Sequence, residues 1–477
     1  MHFFNFNTKM INSESTITAI STPMGVGAIA VVRLSGKDAI AICEKVFKAS
    51  KPGKRLTLQP AYTIHHGVIV DGEKIIDDVL VSLFKSPNSY TGEDLVEISC
   101  HGSILIQQQI LELLVRNGAS LAKPGEFTLR AFLNGKMDLS QAEAIADLIA
   151  SSSEAARRIA VEQMRGGFSG QLKHLREQLL HFVSLIELEL DFGEEDVEFA
   201  SREELLQLVE SIKNQIDKLV ESFAHGNVIK NGIPVAIVGK TNVGKSTLLN
   251  RLLNEERAIV SEIEGTTRDT IEDVINIKGT LYRFIDTAGL RHTTDTIESL
   301  GIERTYKKIS LAQIVIVIVD SRNSTEAVVG EIHDIVERLK DNQKAIILIN
   351  KVDLADAEQV ESIKRTLWER FKNIPFIEFS AKHGLNMELL THEIIKASIV
   401  KETEGGNIII TNTRHYESLL KAQENLLRVN EGLRSGIAED LLATDIRQVI
   451  HYIGEITGEI TTDEVLGNIF SKFCIGK

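Results

Sequence analysis

Residues Gly239 to Ser246, reading Gly-Lys-Thr-Asn-Val-Gly-Lys-Ser, stand between the apolar run Pro234 to Val238 and the amphipathic stretch Thr247 to Leu253. Strand, glycine loop and helix in that order form a phosphate cradle, which commits the segment to an α/β nucleotide-binding unit. The glycines let backbone N–H groups converge on phosphate oxygens. Lys245 places a point charge near the β and γ phosphates, and the Ser246 hydroxyl can bind Mg²⁺. The bare pattern arises by chance in about one chain in fifty of this length. The flanking strand and helix lower that figure, so Asn242 to Thr247 read as nucleotide contacts rather than a structural loop.

The base is named about a hundred residues later. Ala345 to Ile349 is a buried-type run ending in Asn350-Lys351-Val352-Asp353. An ionised aspartate accepts only, so it can take two N–H donors from the Watson–Crick edge of guanine, and adenine offers no matching pair. The string resembles the NKxD element of GTPases, which implies GTP over ATP, with Lys351 along the ring face. Ser380-Ala381-Lys382, after the strand-like Pro375 to Phe379, resembles the element that touches the guanine carbonyl. Each string alone also fits an ordinary strand-to-loop turn, and their order after one glycine loop argues against that reading.

Between these lies the hydrolytic segment. Phe284-Ile285-Asp286-Thr287-Ala288-Gly289 ends a strand with an aspartate for Mg²⁺ and a glycine that can sense the γ phosphate. Leu290 follows, where Ras-type enzymes place a water-orienting glutamine, so this segment needs another route. Gly265 to Asp269 is a polar switch-like stretch in which Thr267 resembles the Mg²⁺-binding threonine. Asn242 has two readings: a turn residue that tolerates strained backbone, or an amide oxygen holding a monovalent cation beside the phosphates.

At 477 residues the chain has room for about three domains. A net charge of −14 advertises no nucleic-acid binding, although a local basic surface would suffice. Cys43, Cys100 and Cys474 are isolated, which argues against a disulfide framework or zinc site and suits a reducing cytosol. No apolar stretch approaches the ~20 residues of a membrane span, so a cytoplasmic protein without membrane partners is expected. Residues 1–10 carry neither a transit-peptide nor a secretory pattern. They read as a disordered extension, or Met10 is the true start.

Residues from about 16 to 135 mix β-type runs (Ala28 to Arg33, Asp78 to Phe84, Leu95 to Ser99) with helical stretches, an α+β texture. Ser140 with Glu143, and Ser201 with Glu204, read as capping boxes. Leu172, Leu175, Leu179, Phe182 and Ile186 recur at helical spacing, as do Leu205, Leu208, Ile212, Ile216 and Leu219. The texture returns after the nucleotide-binding segment, with Leu419, Leu426 and Leu433 on one stripe and Leu442, Val449, Ile453 and Ile456 on another. Burying both halves against each other makes the α/β unit an insertion in a discontinuous α-helical domain. The expected boundaries are 1–135, 136–228, 229–402 and 403–477.

A GTPase inserted in a helical bundle resembles the TrmE family of tRNA-modification GTPases (TrmE-Era-EngA-like), over essentially the whole chain from Thr16. Thr22 to Gly36, Pro124 to Lys136 and the terminal Phe473-Cys474-Ile475-Gly476-Lys477 make the resemblance specific. It implies a tetrahydrofolate-binding, dimer-forming N-terminal domain, then the split helical domain and the inserted G domain. It further implies a homodimer and a heterotetramer with the FAD-dependent partner MnmG (GidA). Together they would place an aminomethyl or carboxymethylaminomethyl group on carbon 5 of the wobble uridine of certain tRNAs. The one-carbon unit would come from 5,10-methylenetetrahydrofolate or 5-formyltetrahydrofolate.

Carried over by motif, Arg33, Glu97, Lys136 and Lys477 match folate contacts. A pterin offers paired donors to a carboxylate, and its glutamate tail asks for cations; without the resemblance, Arg33 would read as a surface arginine. Asn242, Ser261, Ile263 and Thr266 match a potassium site, and the stretch Ser261-Glu262-Ile263-Glu264-Gly265-Thr266-Thr267 contacts the nucleotide, with Ser246 and Thr267 on Mg²⁺. Glu298 matches the carboxylate that positions water in place of the absent glutamine, and Arg291 a switch arginine. Cys474 matches a terminal cysteine required for modification; alone it would read as a packed small hydrophobe. Met24 and Ser103 depart from the usual proline and glycine of the family pattern. Two other readings are a ribosome-assembly type regulatory GTPase acting only as a conformational switch, and a folate-binding scaffold with an inactive G domain. The first leaves the terminal Cys-Ile-Gly-Lys unexplained, and the second needs broken phosphate motifs.

Overall fold

Period-two patterning in the N-terminal third builds a sheet with one apolar and one mixed face. A computed structural model describes residues 15–23, 25–191, 202–255, 273–285, 309–398, 408–435, 437 and 439–476. The chain divides into one unit of Met1–Ile149, Val161–Ile212 and Lys421–Lys477 and a second of Ala150–Ala160 and Lys213–Leu420.

The first unit carries β1 (Ile17–Ile20), β2 (Ile29–Ser35), β3 (Phe47–Ala49), β4 (Thr63–Asp71), β5 (Lys74–Phe84), β6 (Leu95–His101) and β7 (Ser120–Leu121). They lie in the order β3-β4-β5-β6-β2-β1-β7, antiparallel throughout except for β1 with β7. Ala30, Val32 and Leu34 of β2 and Val96, Ile98 and Cys100 of β6 enter one core, closed by the helices Ala39–Val46 and Ile104–Arg116. Alternation then puts Arg33 and Glu97 on the other face, directly opposed in the β2/β6 register. A smaller cluster of Ile17, Ala19, Ala122 and Phe127, with Tyr90 against it, forms beside them.

The expected apolar stripes are buried, with one exception: Val209 takes the buried place expected for Leu208, which is only partly covered. Within the first unit, helices Gly167–Asp191 and Glu439–Thr457 pack together, and ion pairs Arg176–Glu459 and Arg447–Glu187 flank them. The expected Ser140/Glu143 capping box is corrected. Helix Leu139–Ala150 is capped two residues earlier: Asp138 Oδ1 accepts from Gln141 N at 3.0 Å, and Gln141 Oε1 accepts from Asp138 N at 3.0 Å. Ser140 sits inside the first turn, its hydroxyl donating to Asp138. Ser201 of the second box lies outside the described residues. Thr462 caps the last helix, Asp463–Phe470, whose Leu466 and Phe470 join Phe473, Leu129, Leu139 and Ala142 in a further core.

The second unit holds β8 (Ile233–Val238), β9 (Asp273–Ile277), β10 (Thr280–Phe284), β11 (Ile314–Asp320), β12 (Lys344–Asn350) and β13 (Phe376–Phe379). Their order is β13-β12-β11-β8-β10-β9, parallel except for β9 with β10. The two-residue period sorts β8 between two cores. Ile233, Val235 and Ile237 meet helices Lys245–Glu255 and Met387–Ala397; Ala236 and Val238 face helices Thr325–Val336 and Ala357–Arg370. Strands covered on both faces read as continuous apolar runs, which is why β11 is buried at every position. Among the described residues no helix is long and apolar enough to cross a membrane, and no cluster of metal-ligating side chains occurs.

Candidate functional site

In the second unit, β8 ends at Val238 and the glycine loop carries the chain to a helix that opens at Lys245. Gly239 and Gly244 have φ of +147° and +109°, and a Cβ there would lie 2.2 Å from Ile318 O and 2.3 Å from Asn350 Nδ2. Only glycine fits both the backbone and the space. Asn242 also has positive φ, +59°, which suits its reading as a turn residue and leaves its exposed side chain at the rim. Lys245 Nζ donates to the carbonyls of Gly239 at 2.7 Å and Lys240 at 2.5 Å. Ser246 follows in the first helical turn, half-buried.

Three side chains from other elements hold this loop. Buried Asn350 donates from Nδ2 to Val243 O at 2.6 Å and accepts at Oδ1 from Ala381 N at 2.9 Å, tying the loop to the Ser380–Lys382 segment. Lys351 Nζ donates to Asn242 O at 2.5 Å and to Asp320 Oδ2 at 2.8 Å. Glu331 accepts from Lys240 N at 2.9 Å. Burial would raise the Asp320 carboxyl, but hydrogen bonds from Arg322 and Lys351 and the Lys351 charge outweigh it and hold the group well below the usual carboxylate range. Asp353 lies in the turn after β12, its carboxyl lowered first by a hydrogen bond from Ser380, with His383 and Lys382 adding favourable charge. His383 Nε2 is 3.5 Å from Asp353 Oδ2. The structure thus brings Asn242 to Thr247, Asn350, Lys351, Asp353 and Ser380 to Lys382 to one end of the sheet, where strands in an open α/β fold present ligands.

The polar face of the first unit is the second constellation. Arg33 Nε and Nη2 both donate to Glu97 Oε1, at 3.0 and 2.7 Å, and Nη1 donates to Gly476 O at 3.4 Å. Its guanidinium carbon lies 5.6 Å from the ring centroids of Tyr90 and Phe127. Gly476 O also accepts from Ser21 Oγ at 3.1 Å, and Cys474 O from Gly125 N at 3.4 Å. The terminal segment thus lies against β1 and β2, with the Cys474 side chain exposed. Lys136 donates instead to Pro87 O at 3.0 Å, in the loop after β5. Buried Arg130 ties that loop to its own helix through Glu93 and Glu126. Burial pushes the Cys43 thiol up to about 12 and the Cys100 thiol to about 11.

Residues 139–474 match the family described as MnmE helical domain, and residues 16–136 that described as GTP-binding protein TrmE N-terminus. A tRNA modification GTPase MnmE of Christiangramia forsetii is 54% identical over 474 residues, 97% of this chain and 99% of that one. The chain belongs to the MnmE family of tRNA modification GTPases. MnmE proteins of Flavobacterium johnsoniae and Bacteroides thetaiotaomicron are 54% and 53% identical, each over 98% of this chain and 100% of the relative. An Aquifex aeolicus Era variant bound to GDP.AlF4- is 26% identical, covering 40% of this chain and 66% of its own at a TM-score of 0.27, too loose to add to the assignment.

As an MnmE-family member the chain is a GTP hydrolase acting in tRNA modification. Ser261 to Thr267, Asp286 to Gly289, Arg291, Glu298 and Lys477 lie outside the described residues. Asp320, Arg322 and Glu331 were not among the residues the motifs selected. Their signal is faint: Asp320 ends the apolar run of β11 as Asn350 ends that of β12, and the two are register partners.

Proposed function

We propose that the chain is a potassium-activated cytoplasmic GTPase that, with an FAD-dependent partner of the MnmG type, installs a (carboxymethyl)aminomethyl group on carbon 5 of the wobble uridine of certain tRNAs. The folate-binding, split helical and inserted G domains would fall at 1–135, 136–228 with 403–477, and 229–402. The observation that carries this reading is the meeting of Arg33, Glu97 and the Cys474 segment on one sheet face, a polar constellation that a bare switch GTPase does not need.

The phosphate cradle fits GTP, because the loop after β8 leads directly into a helix whose first residue is Lys245, bringing its N-terminal N–H groups and an ammonium to one place; Ser246 would take Mg²⁺ with Thr267. Lys245 would exchange its loop carbonyls for phosphate oxygens. Asn242, with its exposed side chain at the rim, fits a potassium ligand, joined by Ser261, Ile263 and Thr266. Glu298 would orient the attacking water and Arg291 act in the switch. On the first unit, Arg33 directs two donors to a single Glu97 oxygen, a charged pair between aromatic rings that fits the donor edge and ring of a pterin. Lys136 and Lys477 would serve the anionic tail. Bound folate would supply the one-carbon unit; this chain's residues orient it and exclude water. Homodimerisation through the N-terminal domain and assembly with MnmG belong to the same proposal.

The test is a nucleoside profile of tRNA from cells lacking the protein. Loss of the carbon-5 wobble modification, restored by the wild type but not by Arg33→Ala, is expected. Unchanged nucleosides with defective ribosome assembly would favour the regulatory-switch reading.

A further inference from the structure

Parallel pairing of β11 with β12 sets Asp320 directly opposite Asn350, so Asp320 lies one residue from Lys351 across the ladder. Its side chain is only 9% exposed, and both oxygens are engaged, Oδ1 by Arg322 and Oδ2 by Arg322 and Lys351 together. Oδ1 accepts from Arg322 N at 3.1 Å and Arg322 Nε at 3.0 Å, closing the turn that follows β11. Oδ2 accepts from Lys351 Nζ at 2.8 Å and Arg322 Nη2 at 2.7 Å. Lys351 itself has a positive φ of 66° and spends a further N–H on Asn242 O of the phosphate loop at 2.5 Å. A lysine stem has four rotatable bonds and loses much freedom when fixed, so an ammonium held at both ends implies that its position matters.

We propose that Asp320 is a positioning residue for the nucleotide: its Oδ2 pins the Lys351 ammonium to the phosphate loop, presenting the Lys351 stem to the guanine ring. This rests on the reading of Lys351 as a base-site residue. Base and phosphate recognition are then coupled through one ammonium, since Lys351 can hold Asn242 O only while Asp320 holds Lys351. The bland alternative, that Asp320 merely closes its own turn, assigns function to its Arg322 contacts, which use both oxygens, and none to the Lys351 bond. Asp320→Asn keeps an oxygen for Arg322 N and Nε, while its NH₂ can accept from neither Lys351 nor Arg322 Nη2, so it is the comparison with Lys351→Ala that separates the two readings.

The experiment measures dissociation of fluorescent GDP and the KM and kcat for GTP in the full-length wild type, Asp320→Asn, Lys351→Ala and the double variant. Asp320→Asn is expected to raise the dissociation rate and KM about tenfold, equivalent to about 1.4 kcal/mol, with a much smaller change in kcat. The double variant should dissociate no faster than Lys351→Ala, the non-additivity expected of residues acting through one contact. If Lys351→Ala leaves dissociation unchanged, the base-site reading itself fails. If Lys351→Ala accelerates release while Asp320→Asn does not, or the two effects add, Asp320 serves only its turn and the proposal is overturned. Should Asp320→Asn lose its cooperative thermal transition, Asp320→Glu replaces it, keeping charge but displacing the carboxylate by one methylene. Unaltered release in that variant likewise overturns the proposal.

Discussion

Replacing Asn350 by alanine isolates what joins the phosphate loop to the base-reading loop. Asn350 is 2% exposed, and its amide makes two bonds, to Val243 O at 2.6 Å and from Ala381 N at 2.9 Å. Alanine fills neither place, and each buried backbone group left without a partner costs about 1–3 kcal/mol. The sum, about 2–6 kcal/mol, is a large part of the ~5–15 kcal/mol that holds a domain folded. Asn350→Asp sharpens the test: one oxygen still accepts from Ala381 N, but the other sets a buried anionic acceptor against Val243 O, which repels instead of linking. Urea unfolding by circular dichroism and titration with fluorescent GDP read the effect. Asn350→Ala should lower the midpoint without changing the slope and weaken nucleotide at least tenfold, and Asn350→Asp should do no better, because its buried charge faces a carbonyl. An unchanged midpoint and affinity in Asn350→Ala would refute the claim that this side chain joins the two loops.

Asp353→Asn should cost guanine nucleotides about 1–3 kcal/mol of affinity and shift preference toward xanthine nucleotides, read by competition binding; undiminished GTP affinity would misplace the base site. The Asp353 pKa is lowered in the folded protein by the Ser380 hydrogen bond, so its ionised form contributes stability that is complete above the ordinary carboxyl value of about 4. That contribution is lost only as pH falls through the lower folded value, so the discrimination of guanosine over adenosine, which carry no phosphate, should not decline between neutrality and the ordinary carboxyl range. Asn242→Ala should abolish the difference in GTP turnover between potassium and sodium salts while GTP still binds; a surviving difference excludes it as the cation ligand. Gly476 has φ of +95°, and a Cβ there would lie 2.4 Å from Ile20 O. Gly476→Ala should therefore release the terminal segment and weaken folate binding without lowering GTP hydrolysis, measured by equilibrium dialysis with 5-formyltetrahydrofolate and by phosphate release.

Local patterns made the second unit legible. An apolar run, a glycine pair and a helix are each fixed by neighbours in sequence, and β8, β12 and β13 run where such patterns place them. What contacts them is set by pairing between strands, which is why Asp320 and Glu331 escaped notice until β11 stood beside β12 and Lys240 met Glu331. The capping box shifted because Asp138 and Gln141 fit the rule as well as Ser140 and Glu143, and a pattern does not say where the turn before it ends. Lys351 was expected along a ring; its amine is additionally committed to Asp320 and Asn242, a contact between distant segments. Without the family resemblance Arg33 would read as a surface arginine. Its side chain is 18% exposed because it pairs with Glu97 and lies beside Tyr90 and Phe127.

The cysteines give the molecule an unplanned chemical address. Thiol reagents attack the thiolate. Cys43 and Cys100 are buried, with pKa values pushed to about 12 and about 11, so near neutral pH about one in ten thousand or fewer of each is in the reactive form. Cys474 alone among the three is exposed. A maleimide dye would therefore mark one position, two residues from the carbonyl that Arg33 grips. By the same logic a mild oxidant would reach the terminal segment before either buried thiol.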